Sequence, residues 1–456
     1  MKKILFTSLA ICFSATLMAQ SIGPDELKSI RESFVKDGAT VAAQNAIQHT
    51  RNLNALCRNV AAEKLDNNFR YKVKALPTAP DQGESGRCWL FASLNGIRHY
   101  AIDKYNVNDF RFSNNYCAFW DLFEKCNLFL EEVISTVKED DDSRMVACLF
   151  KAPLGDGGVW NMFVNVAEKY GVVPESAMPE TIHSMYKERL PFLQLKLRRE
   201  GMILRDMAAS GSKTKELRKY KVEAMKDIYR ILCLCLGEPP VEFTWNYVDR
   251  NGARHTIKTT PKEFYKSIVP ADFGFNTKIM VMNDPTREYY KVYEIKDYTD
   301  VIEGMPWRYL NLPNDEIKAA VLKMIKAGEA VYASADWRKG KENEGQTMTC
   351  DNYDFDALFG VKFGMDKKNR ILSRYSSSAH AMLIVACDTD ETDKPTKWQF
   401  FNSWFATGEK AYLTFTDEWF DEYMFREAIN RDCLSEKAVK ALSTKPVMLP
   451  FWDYQK

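Results

Sequence analysis

The chain changes character at Cys88. Before it, NFRYKVKALPTAPDQGESG has no apolar period and carries Pro77, Pro80, Gly83 and Gly86; after it, Leu90, Leu94, Ile97 and Ala101 occupy one face of a helix. This boundary dictates a loop-to-helix entry with one apolar side to bury. It also puts a thiol at or next to a helix N-terminus.

Other patterns arrange themselves around that junction. Residues from Ser21 to about Asn68 read as helical, with Leu27, Ile30 and Phe34 at helical spacing, and form an N-terminal extension. Ser113 is placed to cap a helix reaching Val137, with Tyr116, Trp120, Phe123 and Leu130 on its inner side. GDGGVWNMFVNVAEKYGVVPE is a Gly-rich turn followed by a short amphipathic helix. Its spacing is not that of a phosphate-binding loop, and the other use for such glycines is to let an extended ligand backbone approach. Two long helices between about Ser184 and Leu236 separate near Gly211, and VEFTWNYVDRNGARHTIKTT is a hairpin turning at Asn251-Gly252. The last part is mostly β: HAMLIVACD and KWQFFNSW pair around Asp390 to Lys394, and Tyr412 to Phe415 supplies a third strand.

The first nineteen residues, MKKILFTSLAICFSATLMA, have a basic pair, a short apolar stretch and a small-residue end, the layout of a secretory signal peptide cleaved after Ala19. Export to the periplasm or the extracellular space is therefore expected, and no later stretch is apolar enough to span a bilayer. A net charge of +1 gives no global reason to expect nucleic acid or an anionic membrane as partner. Eleven cysteines occur, one of them in the leader. A chain of this size needs no disulfide scaffold, and Cys233 and Cys235, without a neighbouring histidine, read as packed thiols rather than a metal site.

A thiol attacks carbonyls as thiolate, which a helix N-terminus and an adjacent imidazolium both favour. Of the five histidines, His49, His183 and His255 lie in polar surroundings, and His99 sits about three turns along the same helix as Cys88. His380 begins a buried strand after the small, polar run SSSA; taken alone, it reads more readily as a structural group. Asn402, at the far end of the partner strand, shifts that balance, because the hairpin brings the two strand ends opposite one another. Its side-chain oxygen can accept the imidazole N–H and leave the other ring nitrogen for the thiol. Trp404 can cover that hydrogen bond, and Gln82 joins the Cys88 N–H as a candidate oxyanion donor.

Gln82, GRCW at 86–89, His380 in HAM and Asn402 in NSW together resemble the catalytic pattern of the papain-like cysteine peptidases. The resemblance is closer to the bleomycin hydrolase and aminopeptidase C branch. DQGESGRCWLF, GDGGVWNMFVNVAEKYGVVPES, NDP at 283–285, KAGEAV, FGV at 359–361, TDEWFDEY and LPFWD are all similar to it, in the same order. It implies an α+β, two-lobed papain-like fold spanning 20–456, helical around Cys88 and β-barrel-like around His380. The N-terminal extension would cover about 20–70, a helical and hairpin insertion about 184–300, and a C-terminal tail about 444–456. It implies a homohexameric ring, peptide substrates, no cofactor and no metal. It also implies removal of N-terminal residues through a Cys88 thioester, with Asp156, Gly157 and Gly158 as the cleft wall and Trp89 among the substrate contacts.

Two departures bear on specificity. Phe405 stands where the family pattern NSWG has its glycine, and the chain ends WDYQK, without the proline that follows WD in the branch. The Lys456 carboxylate is therefore not expected to reach the place where the branch's tail meets a substrate amine. This leaves endopeptidase or broader amide hydrolysis as the alternative to aminopeptidase action. A non-enzymatic peptide-binding ring is countered by intact Cys88, His380 and Asn402, and a nucleic-acid-binding ring by the near-neutral charge.

Overall fold

The computed structural model describes residues 21–62, 65–269, 277–337, 339, 347–404 and 411–456. The leader and Phe405 lie outside the described residues. The chain divides into two compact units. The smaller joins the residues up to Arg58 with Asp354–Phe363. Its helices Pro24–Glu32, Gly38–Gln48, Leu53–Leu56 and Phe355–Phe359 contain no buried residue. Within it, the Asp354 N–H donates to the Cys57 carbonyl at 2.7 Å.

The larger unit, Asn59–Tyr353 with Gly364–Lys456, contains the helix read from the sequence, Cys88–Lys104. Leu90, Leu94, Ile97 and Ala101 are all buried, in one apolar core with Leu383 and Val385 of the strand His380–Thr389. Burial of side chains the size of leucine contributes about 1.5–3 kcal/mol each. Gly96 faces the same strand, and a Cβ there would lie 3.5 Å from the Leu383 side chain.

The strand's alternation serves two cores rather than a core and solvent. Ala381, Leu383 and Val385 face the helical side, while Met382, Ile384 and Cys387 join a second core with Ile317, Val321 and Ile325 of helix Asn314–Lys326. That is why HAMLIVACD is buried nearly throughout. The strand pairs antiparallel with Pro395–Phe401 on one side and Val331–Ala335 on the other. Beyond these, the sheet continues through Tyr412–Thr416 on one side and through Met424–Asn430, Lys278–Met282, Arg308–Asn311 and Lys291–Ile295 on the other. Lys278–Met282 lies between Met424–Asn430 and Arg308–Asn311, so the sheet takes up residues that the sequence grouped with an insertion ending near 300.

The helical side is built from Asn114–Ser135, capped by the Ser113 hydroxyl on the Tyr116 N–H at 3.0 Å, with Arg189–Ala209 and Thr214–Leu236. The last two part at Gly211, whose φ of +94° is open to glycine. The expected hairpin is Phe243–Val248 with Arg254–Thr259, turning through Asn251 and Gly252 as the Asp249 carboxylate accepts the Asn251 and Ala253 N–H groups at 2.9 Å.

Candidate active site

Cys88 is the first residue of its helix, so the unpaired N–H groups of the first turn lie beside its sulfur, and that turn contains no acidic residue. The preceding loop is pinned on both sides. The Gly86 N–H donates to Asp156 Oδ2 at 2.8 Å, and a Cβ at Gly86 would collide with that carboxylate. On the other side the Gln82 N–H donates to the Ser403 carbonyl at 2.9 Å, and the Ser403 hydroxyl donates to Gln82 Oε1 at 2.6 Å. This orients the buried amide: its oxygen is taken and Nε2 is the donor end, with one hydrogen on the Ser85 carbonyl at 2.7 Å. The second hydrogen of that NH2 group remains for a ligand.

His380 and Asn402 are both buried, with Nε2 of the ring 2.8 Å from Asn402 Oδ1. The same oxygen accepts the Ser403 backbone N–H at 2.8 Å, which identifies it as the acceptor and Nε2 as the protonated nitrogen. Nδ1 is thus the free base. Trp404 stacks on the imidazole, centroids 4.0 Å apart and planes at 20°, and Trp337 meets the ring edge-on at 5.7 Å. The two indoles keep water from the His380–Asn402 bond.

Gln82, Cys88, His380 and Trp404 line one cleft of about 720 Å³. Burial pushes the Cys88 thiol up to about 11, with the Ala381 and Trp89 backbone N–H groups pulling the other way. The Ala381 N–H acting on the sulfur places it at the start of the strand that carries His380. Burial likewise drives His380 down to about 4, against the pull of Asn402. Either charge alone is disfavoured here; a proton passed from Sγ to Nδ1 creates both at once, each offsetting the other.

The cleft-wall residues divide into roles the sequence did not separate. Gly157 faces open space on the cleft. Asp156 also lines it, but its carboxylate holds Gly86, with Arg189 3.8 Å behind, and its carbonyl accepts the Trp89 indole N–H at 2.9 Å. Trp89 is 1% exposed and lies in the core rather than on the cleft, which corrects its reading as a substrate contact. It is the support of Gly158, where a Cβ would come 2.5 Å from the indole. Gly158→Ala is therefore expected to destabilise the protein by about 1–3 kcal/mol through overpacking and to raise KM by displacing the wall. Urea unfolding and substrate kinetics check both; an unchanged unfolding midpoint would mean that the indole retreats.

Lys456 lines the same cleft, its ammonium 3.2 Å from the Phe451 ring centroid. The tail leading to it is anchored by the Arg287–Asp453 ion pair at 2.6 Å and by Arg426 donating to the Gln455 carbonyl at 2.6 Å. Ser403, Trp337 and Lys125, which also take part in the site, were not singled out from the sequence. Ser403 lay within the NSW motif; Trp337 and Lys125 carried no local signal. The ten described cysteines, Cys233 and Cys235 among them, are free thiols. No group of three or more metal-ligating side chains forms among the described residues.

The family model described as Peptidase C1-like matches residues 21–455. Aminopeptidase C of Lactobacillus delbrueckii subsp. lactis is 35% identical over 444 residues, covering 96% of this chain and 98% of that protein. Bleomycin hydrolase of Homo sapiens is 34% identical over 450 residues, covering 96% and 98%. Among solved structures, PepW from Lactobacillus rhamnosis HN001 superposes with a TM-score of 0.90 at 32% identity, covering 96% of this chain and 99% of the other. The architecture is thus papain-like α+β.

Proposed function

The chain belongs to the Peptidase C1-like family and is a cysteine-type peptidase; from that premise we propose that Cys88 is its nucleophile and that it removes N-terminal residues from peptides. The observation that carries this reading is a single cleft lined by a thiol at a helix N-terminus and an imidazole oriented by Asn402.

Sγ gives its proton to His380 Nδ1 and attacks the scissile carbonyl carbon. The oxyanion meets the Cys88 N–H and the second hydrogen of Gln82 Nε2. Nδ1–H then protonates the leaving amine, the C–N bond breaks, and a thioester to Cys88 remains. Water, deprotonated by Nδ1, attacks that thioester and releases the carboxylic acid and the thiol. Asn402 keeps Nε2 protonated throughout, so that Nδ1 does the proton traffic.

Aminopeptidase action is favoured by the relatives named aminopeptidase C. Aminoacyl-coumarins with a free amine should be cleaved with kcat/KM at least about a hundredfold above their N-acetylated forms, the loss of one charged contact being worth roughly 2–3 kcal/mol. Preference for the acetylated form would reject the aminopeptidase assignment, and no thiol-dependent cleavage of either would reject the peptidase itself. Export through the leader and assembly into a homohexamer belong to the same reading. Self-assembly is supported by large apolar side chains left in water, Phe192 at 69% and Leu195 at 68% exposed.

A further inference from the structure

Lys125 is held in an arrangement that stability alone does not explain. It projects from helix Asn114–Ser135, and its ammonium donates to Asp121 Oδ2 at 2.7 Å and to the Gly157 carbonyl at 2.6 Å. The Trp89 ring lies beneath it at 5.2 Å. Asp121 is 1% exposed, and a second carboxylate, Asp300, is completely buried beside this pair. Asp300 Oδ1 accepts from Asn165 at 2.9 Å and from the Val301 N–H at 2.8 Å. Its Oδ2, and Oδ1 of Asp121, are buried with no hydrogen-bond partner. Burial, reinforced by Asp121, raises the Asp300 carboxyl well above the usual carboxylate range, and burial raises Asp121 too despite its lysine.

A buried ion pair of this kind is at best neutral for stability against apolar side chains of the same volume, and each orphaned carboxylate oxygen adds an uncompensated desolvation cost. What the arrangement provides is direction. The ammonium is aimed by Asp121 at the carbonyl of Gly157, a residue with open cleft in front of it and no side chain to hold it in place. A glycine pair is otherwise the most pliable backbone available. Asp156 fastens the wall at one end through Gly86 and Trp89, and Lys125 fastens it at the next residue.

We propose that Lys125 is a positioning residue for substrate: by holding the Gly157 carbonyl it keeps the Gly157–Gly158 backbone in the line along which a peptide must lie to reach Cys88. This rests on the peptidase reading above. It separates two parts of the site, the Cys88–His380–Asn402 chemistry, which Lys125 does not touch, and the backbone track, which it sets.

Lys125→Met and Asp121→Asn are compared with wild type on a free-amine aminoacyl-coumarin and on alkylation of Cys88 by iodoacetamide, a reagent too small to need the wall. For Lys125→Met, KM rises at least about tenfold, kcat stays within about threefold, and the alkylation rate is unchanged. Asp121→Asn, which keeps the ammonium but releases its aim, raises KM about threefold and serves alone if Lys125→Met does not fold. KM within twofold of wild type in a folded Lys125→Met, or in Asp121→Asn where only that variant folds, overturns the proposal, as does a fall in kcat at unchanged KM. Wild type without thiol-dependent turnover overturns the peptidase reading and this proposal with it; wild-type turnover with an unmoved KM overturns this proposal alone.

Discussion

Cys88→Ala is expected to abolish turnover, lowering kcat by about 10⁴-fold or more while the protein stays folded. In the proposed mechanism the sulfur forms the covalent intermediate, and the serine hydroxyls among the described cleft residues are engaged elsewhere. Among the other residues lining the cleft, Ser334 and Ser378 are bonded to each other at 2.7 Å, and Ser85 is turned to the Gln82 carbonyl. Removing one sulfur from the mouth of the helix leaves Leu90, Leu94, Ile97 and Ala101 in place, so the unfolding midpoint should correspond to a change within about 1 kcal/mol. Loss of activity with unfolding would implicate the fold rather than the thiol; retained activity in a folded variant would remove Cys88 from the mechanism.

His380→Ala should lower kcat by about 10³–10⁴-fold, and it should also change how Cys88 itself reacts. Burial holds that thiol at about 11, so without an imidazole to take its proton only a trace is thiolate at neutral pH. The charged form is the one disfavoured, so raising the pH restores it. Iodoacetamide should therefore modify Cys88 slowly at pH 7 in the variant, the rate climbing nearly tenfold per pH unit toward about 11, whereas wild type reacts at neutral pH. Equal rates for the two proteins at pH 7 would mean that His380 does not serve the sulfur. Asn402 acts through the ring, since its oxygen already has the Ser403 N–H and loses only one of two partners in the variant.

The parts of the site that were legible in the sequence are those at the ends of regular elements. Cys88 follows a loop and opens an apolar period, and His380 and Asn402 sit at facing ends of a hairpin, whose ladder carries two local register shifts between the turn and those ends. Trp89 was misplaced for a geometric reason. One residue along a helix is a rotation of about 100°, so a neighbour of the nucleophile points away from the cleft, and this one packs into the core under Gly158. The GDGG turn was readable as a wall, but not that Gly158 is needed by an indole from another element while Gly157 is the residue with room in front of it. Lys125 lies on a helix and Asp300 in a connection between strands, and they meet only in the folded chain, so nothing local marks them. In the same way, Lys278–Met282 is a five-residue strand bracketed by partners more than twenty residues away, and its place in the sheet is settled by those partners rather than by its own sequence.

In the proposed mechanism one thiol of the ten described carries the reaction. Wild type treated with limiting iodoacetamide is followed, in the same samples, by aminoacyl-coumarin turnover and by mass spectrometry of the modified peptides. Activity should fall in one-to-one proportion with modification of Cys88, while the other cysteines remain largely unmodified; full modification of Cys88 with turnover retained would mean that another group is the nucleophile.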